Sequence, residues 1–367
     1  MLRSGPVAAT ARRVVSGLFR GEAMRGAAMT RSSHEDNEDN DSYVDSPVDS
    51  PVSAADAANS AALAGSASPT GPTGPDAAAV ADLRAADSAS AARAVSHELR
   101  CLEAAEGVRV LLAVESGSRA WGFESPDSDF DVRFVYVRPI EYYLRLQSTR
   151  DVLEWRLDEV LDVSGWDLDK ALRLMRGANP SLFEWLASPI VYAEDSAFAA
   201  VRDLAADCFS PVSSAHHYLS MARTGMSGLT GTTRMADKAD KADKAAVAGE
   251  TIRLKKCLYA MRAILACRWV VAERVPVPML FRDLVDAQLE ASMRGLVDEL
   301  LEAKAVAGEC DEYPRIPALS TWAASAVAEL EEDVAALVPK PKMAWERLND
   351  VFLGFLDMDR TPVGDSR

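Results

Sequence analysis

The chain has 367 residues, enough for one large or two ordinary domains, and a formal net charge of -16. Residues 32–83 contain ten acidic residues and no Lys or Arg, so much of the acidity belongs to a tail rather than to a folded surface. Five scattered cysteines without a CxxC or Cys/His cluster argue against a disulfide framework and a zinc site. No apolar run reaches the ~20 residues that span a bilayer, and we therefore expect a cytoplasmic protein without a membrane segment.

The first 90 residues are expected to form a leader and a disordered tail. Residues 1–31 carry six arginines and one acid, a composition typical of a mitochondrial transit peptide if the source is a eukaryote. The alternative is an unstructured basic leader. Residues 30–87 are mostly Ser, Ala, Pro, Gly and Asp, which bury too little apolar surface to offset the entropy lost on ordering. A second low-complexity stretch, at 236–246, predicts a solvated insert.

Folded structure is expected from residue 91 onward. Residues 91–105 have the apolar spacing of a helix, and four apolar runs predict strands at 108–114, 130–137, 152–157 and 160–163. From residue 168 the apolar period becomes that of a helix and stays so. The fold class is therefore α+β, with a core of strands and helices at 91–193 followed by a helical domain at 194–360.

The stretch ESGSRAWGFESPDSDFDVR combines a glycine turn with two closely spaced aspartates. Gly117 and Ser118 follow the first strand and begin a short helix, where backbone N–H groups and a hydroxyl can bind phosphate oxygens. On the next strand Asp129 and Asp131 project from one face, because side chains alternate along a strand. Adjacent carboxylates repel each other unless a cation lies between them, and Mg²⁺ prefers carboxylate oxygens with substrate phosphates. The pattern predicts an Mg²⁺–nucleoside triphosphate site; the alternative is an Asp-rich turn.

A third carboxylate is expected, since displacement at an α-phosphate commonly uses two metal ions. Asp162 is our first choice, because it lies in an alternating strand beside the first two aspartates, and it could also accept the proton of the acceptor hydroxyl. Asp167 is the rival candidate, although its place in SGWDLDK equally suits a helix N-cap.

Other residues have a functional and a structural interpretation. Arg119 follows the glycine turn and Arg133 shares the face of the aspartates, so both are candidates for binding the triphosphate or the leaving pyrophosphate. Surface ion pairs are the alternative for both. Trp121 is either a platform for a base or a core residue. On the predicted helix at 250–271, one face carries a row of basic and aromatic residues: Lys255, Tyr259 and Arg262. This row could bind a triphosphate or a nucleic-acid backbone, or it could simply face the solvent.

Glycine-serine, a gap of ten residues and DFD together resemble the signature of the DNA polymerase beta superfamily of nucleotidyltransferases. Four blocks in order are similar to the YcgL-like group, which is associated in some bacteria with RNA repair and RNA ligase. The blocks are ESGSRAWGFESPDSDFDVRFVYVR, SGWDLDKALRLMRGANPSLFEWLASPIVY, HYLSMAR and KKCLYAMRAILACRWVVAE. The similarity covers about residues 92–355.

The resemblance implies a polymerase-beta-like core with a small mixed sheet, two or three metal carboxylates, Mg²⁺ and an NTP substrate. It also places Lys170 at a lysine position of the group, as a further nucleotide-binding candidate. We expect transfer of a nucleoside monophosphate from an NTP to an acceptor hydroxyl, with an RNA end as the acceptor. The fold alone does not select the acceptor. The alternatives are a regulatory protein that binds nucleotides with weak or no turnover, and nucleotidylation of a protein.

Overall fold

A computed structural model describes residues 88–147, 149–157, 160–230, 251–306 and 312–358. The predicted leader, the tail up to residue 87 and the insert at 236–246 lie outside these residues. Within the described part, no helix is both long enough and apolar enough to cross a membrane.

The fold consists of helices and short strands. The helices are α1 (Ser88–Glu106), α2 (Gly117–Trp121), α3 (Ile140–Tyr143), α4 (Leu168–Arg176), α5 (Pro180–Leu186), α6 (Ala199–Cys208), α7 (Pro211–Thr230), α8 (Leu254–Glu273), α9 (Phe281–Gln288), α10 (Ala291–Val306), α11 (Pro317–Ala335) and α12 (Trp345–Met358). The strands are β1 (Arg109–Glu115), β2 (Phe130–Val137), β3 (Val152–Leu157), β4 (Leu161–Asp167), β5 (Val191–Glu194), β6 (Thr251–Arg253) and β7 (Glu312–Pro314).

Five of the strands form one mixed sheet in the order β3-β4-β2-β1-β5. The central pair β2 and β4 is parallel, whereas β1 pairs with β2 and β5, and β3 with β4, in antiparallel fashion. The small remaining pair, β6 and β7, is antiparallel. The α+β fold class with a small mixed sheet, followed by a largely helical part, is therefore as predicted.

The predicted strands differ from the structure in their bounds and in their number. β1 lies one residue later than predicted, and β4 continues to Asp167, beyond the predicted end at residue 163, because Ser164 and Gly165 interrupt the apolar run without breaking the strand. The three-residue strands β6 and β7 were missed. β5 was not predicted. It is a four-residue edge strand, and its apolar stretch IVYA is only four residues long, at the lower limit of the runs by which strands are recognised.

The two faces of the sheet have different partners. Helix α1 covers one face, where Leu99 and Leu102 belong to the same apolar cluster as Phe130, Val132 and Phe134 of β2. The other face and the later helices share a second apolar core. This core continues across the predicted domain boundary near residue 193, and the division into two domains stays a prediction.

Strand β2 shows the alternation on which the site depends. Its buried residues Phe130, Val132 and Phe134 point to the face that α1 covers, while Asp131 and Arg133 between them are half-buried. The polar residues therefore lie on the opposite face, toward the later helices, as the alternation predicted.

Candidate functional site

Two aspartates lie next to each other at the start of the central strands. In the parallel register of β2 and β4, Asp131 is the direct partner of Asp162. The Nη2 group of Arg133 donates to Oδ1 of Asp131 at 3.1 Å and to Oδ2 of Asp162 at 2.8 Å. We call Asp131 and Asp162 the carboxylate pair; a single cationic side chain holds it together.

The glycine turn packs directly against this pair. Gly117 has φ +61°, a conformation that residues with a Cβ rarely adopt, and a Cβ there would lie 2.1 Å from Oδ2 of Asp131. The backbone N–H of Ser116 donates to the carbonyl of Asp131 at 2.8 Å. Turn and carboxylate thus touch, which accounts for a glycine at this position.

Asp129 and Arg119 lie at the edge of the same region. Asp129 is half-buried, and its charge is one of the influences that raise the pKa of Asp131. Arg119 donates to the carbonyls of Asp129 and Ser128 at 3.0 and 2.8 Å, and its guanidinium lies 3.9 Å from the ring centroid of Phe130. The structure therefore uses Arg119 to fix the segment that carries Asp129.

The hydroxyl of Ser118 points into the protein. It donates to Oγ of Ser128 at 3.2 Å, Ser128 in turn lies 3.0 Å from Oγ of Ser125, and Nζ of the buried Lys304 donates to Ser125 at 2.6 Å. The hydroxyl that the sequence pattern favoured as a phosphate ligand is thus used in an internal hydrogen bond.

Burial and neighbouring negative charges act against the ionised form of Asp131. Burial is the largest influence and raises its pKa above the usual range. The guanidinium of Arg133 and the ammonium of Lys255 oppose this rise, and the charges of Asp129 and Asp162 add to it. Three acids and two cations therefore act on one another here, and an additional cation would stabilise the ionised form of Asp131.

Beneath the pair lies a buried acid, Glu115 of β1. Its Oε1 accepts the backbone N–H of Asp131 at 2.7 Å, and its Oε2 accepts the hydroxyl of Tyr192 on β5. Burial is the main cause that raises the pKa of Glu115 to about 7. Glu115 thus holds the backbone of Asp131 in place through this hydrogen bond.

Asp167, the rival third carboxylate, lies at the other end of β4. Five residues of strand separate it from Asp162, roughly 16 Å at ~3.3 Å per residue. Its side chain accepts the N–H of Asp169 as the N-cap of α4 and the hydroxyl of Tyr143. Lys170 lies at this end too, where its Nζ is 3.3 Å from Oδ1 of Asp151, so the structure does not bring Lys170 to the carboxylate pair.

The basic row on α8 is divided between the site and the core. Arg262 is only 2% exposed, pairs with Glu184 at 2.8 Å and lies 4.2 Å from the ring centroid of Trp121. The rings of Tyr259 and Trp121 pack edge to face, with their centroids 4.8 Å apart. Trp121 is therefore a core residue, and the base-stacking interpretation is wrong; of the row, Lys255 is the member that acts on Asp131.

Comparison of the sequence with known proteins identifies the family of this chain. The model of the RNA repair pathway DNA polymerase beta family matches residues 91–354. This chain belongs to that family. It is also 36% identical over 262 residues to the uncharacterized protein YcgL of Bacillus subtilis (strain 168), an alignment that covers 71% of this chain and 94% of that protein.

Among solved structures, a nucleotidyltransferase-like protein from Exiguobacterium sibiricum 255-15 is similar over 73% of this chain and 81% of that one. The sequence identity is 11% and the TM-score 0.24, values too low to carry an argument about the site. The assignment to the RNA repair pathway DNA polymerase beta family rests on the sequence.

For a member of this family, a divalent ion is the group to be tested against the site. Within the ranges that the structure describes, no three His, Cys, Asp or Glu side chains converge as a metal-holding group. The donor set that does converge is the carboxylate pair, with Asp129 close enough to act on it by charge. Two carboxylates that need a cation between them fit Mg²⁺ chemically, because Mg²⁺ is often bound through one or two carboxylates plus substrate phosphates.

Sequence reasoning missed three residues around the pair: Glu115, Tyr192 and Lys255 as a partner of Asp131. Glu115 carried a usable signal, since an acid at the end of an apolar run and directly before the glycine turn is unusual in a buried strand. Tyr192 carried none, because its short strand was not recognised. Lys255 was noted as part of a row, but only the packing of α8 separates it from Arg262.

Proposed function

We propose that this protein is a divalent-metal-dependent nucleotidyltransferase that moves a nucleoside monophosphate from an NTP to an acceptor hydroxyl. The observation that carries the proposal is the direct pairing of Asp131 with Asp162 against the turn at Gly117. Family membership supports the same reaction class. The family description, which refers to an RNA repair pathway, supports an RNA end as the acceptor.

The metal would be held by Asp131 and Asp162, with the carboxylate of Asp129 near enough to act on the ion by charge. When bound, a Mg²⁺ ion supplies positive charge to the phosphates and draws their oxygens toward the pair. The backbone N–H groups at Gly117 and Ser118 bind phosphate oxygens, and Arg133 and Lys255 neutralise the chain of β- and γ-phosphates. Arg119 does not contact the phosphates in this proposal; it positions Asp129 by donating hydrogen bonds to the carbonyls of Ser128 and Asp129.

The reaction is an in-line displacement at the α-phosphorus. The acceptor oxygen forms a bond to the α-phosphorus while the bond from that phosphorus to the bridging β-phosphate oxygen breaks, and pyrophosphate leaves. The proton of the acceptor hydroxyl passes to a carboxylate of Asp162, which lies beside Asp131 on the neighbouring strand. This chain's own residues therefore orient both reactants and receive the proton.

The test separates activity from acceptor. The full chain is incubated with Mg²⁺, cell extract and each NTP, labelled at the α-phosphate in one series and at the γ-phosphate in a second, and label in macromolecules is followed together with release of pyrophosphate. We expect α-label but no γ-label to be incorporated, removal of the label by RNase rather than protease, and no incorporation by Asp131→Ala. Removal by protease would replace the RNA acceptor by a protein, and nucleotide binding without any pyrophosphate release would favour a regulatory protein.

A further inference from the structure

The carboxylate pair already has a cation in contact with it, and this contact restricts how a metal ion can bind. Nη2 of Arg133 bridges Asp131 and Asp162, and Nη1 of the same guanidinium donates to the carbonyls of Asp162 and Val132 at 3.1 and 3.2 Å. The side chain of Arg133 is 19% exposed, that of Asp131 28% and that of Asp162 25%. The contact is partly shielded from water, so it is stronger than an ion pair on the open surface.

Arg133 holds one oxygen of each carboxylate, and the second oxygen of Asp131 lies close to the turn. Oδ1 accepts from Arg133, and Oδ2 lies against the backbone of Gly117, where no Cβ could fit. On Asp162, Oδ2 accepts from the same Nη2 group. The guanidinium therefore occupies one oxygen of each carboxylate and the position between them, and a metal ion that bridges the pair competes with it for that position.

We propose that Arg133 is an exchangeable counter-ion: it holds Asp131 and Asp162 together before metal arrives, is displaced by the divalent ion, and then binds the phosphates of the nucleotide. This inference rests on the proposed function. An arginine is suited to it, because its fork of N–H donors matches carboxylates and phosphates equally well and it stays charged throughout. The exchange leaves neither the carboxylates nor the guanidinium without a partner.

The proposal predicts effects of opposite sign on two ligands. Loss of the guanidinium removes the competitor of the metal, so Arg133→Met binds metal more tightly, and it removes a phosphate contact, so the same variant binds nucleotide more weakly. Residues that only stabilise the fold would weaken both. Mn²⁺, followed by electron paramagnetic resonance, is the probe for the metal, and a non-hydrolysable ATP analogue with Mg²⁺ is the probe for the nucleotide.

Two matched variants separate exchange from a simple effect of charge. Lys255→Met removes one positive charge that acts on the same Asp131. Arg133→Lys keeps the charge but lacks the second N–H group, which donates to the carbonyls of Asp162 and Val132 and fixes the bridging group between the carboxylates. We expect Arg133→Met and Arg133→Lys to bind Mn²⁺ about tenfold more tightly than the wild type, equivalent to ~1.4 kcal/mol. Lys255→Met should change Mn²⁺ binding by less than about threefold, since charge acts weakly across a solvated gap.

Thermal unfolding gives a readout that survives a loss of activity. In EDTA the Arg133→Met variant should melt below the wild type, because the carboxylates then face each other without a cation, and saturating Mn²⁺ should close the gap. A gap that persists in Mn²⁺, or an equal tightening by Lys255→Met, would overturn the exchange. If neither wild type nor Arg133→Met binds Mn²⁺ in a manner that Asp131→Asn abolishes, the metal site and the proposed function fail with it.

Discussion

The two ends of strand β4 carry the same residue type in opposite circumstances. Asp162 lies beside Asp131 and shares one guanidinium with it, half-buried, so that charges of the same sign are held close together. Asp167 is 3% exposed, caps α4 and accepts the hydroxyl of Tyr143. Each hydrogen bond to Asp167 pairs a polar group whose burial without a partner would destabilise the fold.

The comparison teaches how to tell a functional carboxylate from a structural one. At the Asp167 end the partners are local N–H and O–H donors, which stabilise the fold. At the Asp162 end the partner is the cationic side chain of Arg133, and Asp131 has its pKa raised by burial and by like charges. A site that needs a cation is suited to a substrate that brings one.

The largest expected effect is the loss of activity when the carboxylate pair is altered. Asp162→Asn should lower the rate of NTP-dependent labelling at least ~100-fold, because a metal ligand and the proton acceptor are lost together. Its melting temperature should change little or rise, since a repulsive charge is removed. Steady-state labelling with Asp167→Asn as the matched control checks this, and equal losses in the two variants would end the distinction between the ends.

A second variant tests the contact between the turn and the pair. Gly117→Ala adds a Cβ 2.1 Å from Oδ2 of Asp131 at a backbone conformation of φ +61°. We expect a stability loss of ~1–2 kcal/mol from the backbone alone and a larger loss of activity, because the carboxylate must move. Urea denaturation and labelling are measured on the same preparation. Gly295→Ala, where a Cβ meets nothing within 4 Å, is the control and should retain activity.

The opposite result is expected at the Asp167 end. Asp167→Ala removes an N-cap, worth ~1 kcal/mol, and leaves the Tyr143 hydroxyl without its acceptor, so the free energy of unfolding should fall by ~2–3 kcal/mol. Activity per folded molecule should remain near that of the wild type. Urea denaturation measures the stability, and Asp169→Asn, which alters an exposed pair with Arg173, should cost under ~0.5 kcal/mol.

A pH series gives the smallest effect and sharpens the comparison. Burial is the main cause that raises the pKa of Asp167 from about 3.8 to about 6, so the native chain keeps this proton at a pH where the unfolded chain has lost it. Its contribution to stability is therefore complete below pH ~4 and declines, by on the order of 2 kcal/mol, as the pH rises to ~6. Asp167→Asn, which can still cap the helix, should flatten this part of the stability curve. If the stability of Asp167→Asn fell with pH as steeply as that of the wild type, groups other than Asp167 would cause the decline.

Local patterns in the sequence predicted the strands that carry the pair. The bounds of β2 and β3 agree with the apolar runs, and the alternation in β2 placed Asp131 and Arg133 on one face. The same patterns could not show which strands are neighbours. The choice of Asp162 over Asp167 therefore depended on expected pairing, and the parallel register supplies that pairing.

What the sequence could not reveal are the partners of polar side chains that meet through the fold. Arg119 donates to backbone carbonyls, Lys170 forms an ion pair with Asp151, and the hydroxyl of Ser118 donates to Ser128. Each has the residue type of a phosphate ligand and a local pattern that fits one. Distances between elements decide these cases, and no spacing along the chain encodes them.

The most direct test of the central claim is a crystal structure of the chain with Mn²⁺ and a non-hydrolysable NTP analogue, with the ion located by its anomalous signal. We predict an ion bound to both Asp131 and Asp162, with the triphosphate against the turn at Gly117 and the guanidinium of Arg133 moved onto a phosphate. An ion and nucleotide bound away from these two carboxylates, with Arg133 still bridging them, would contradict the account.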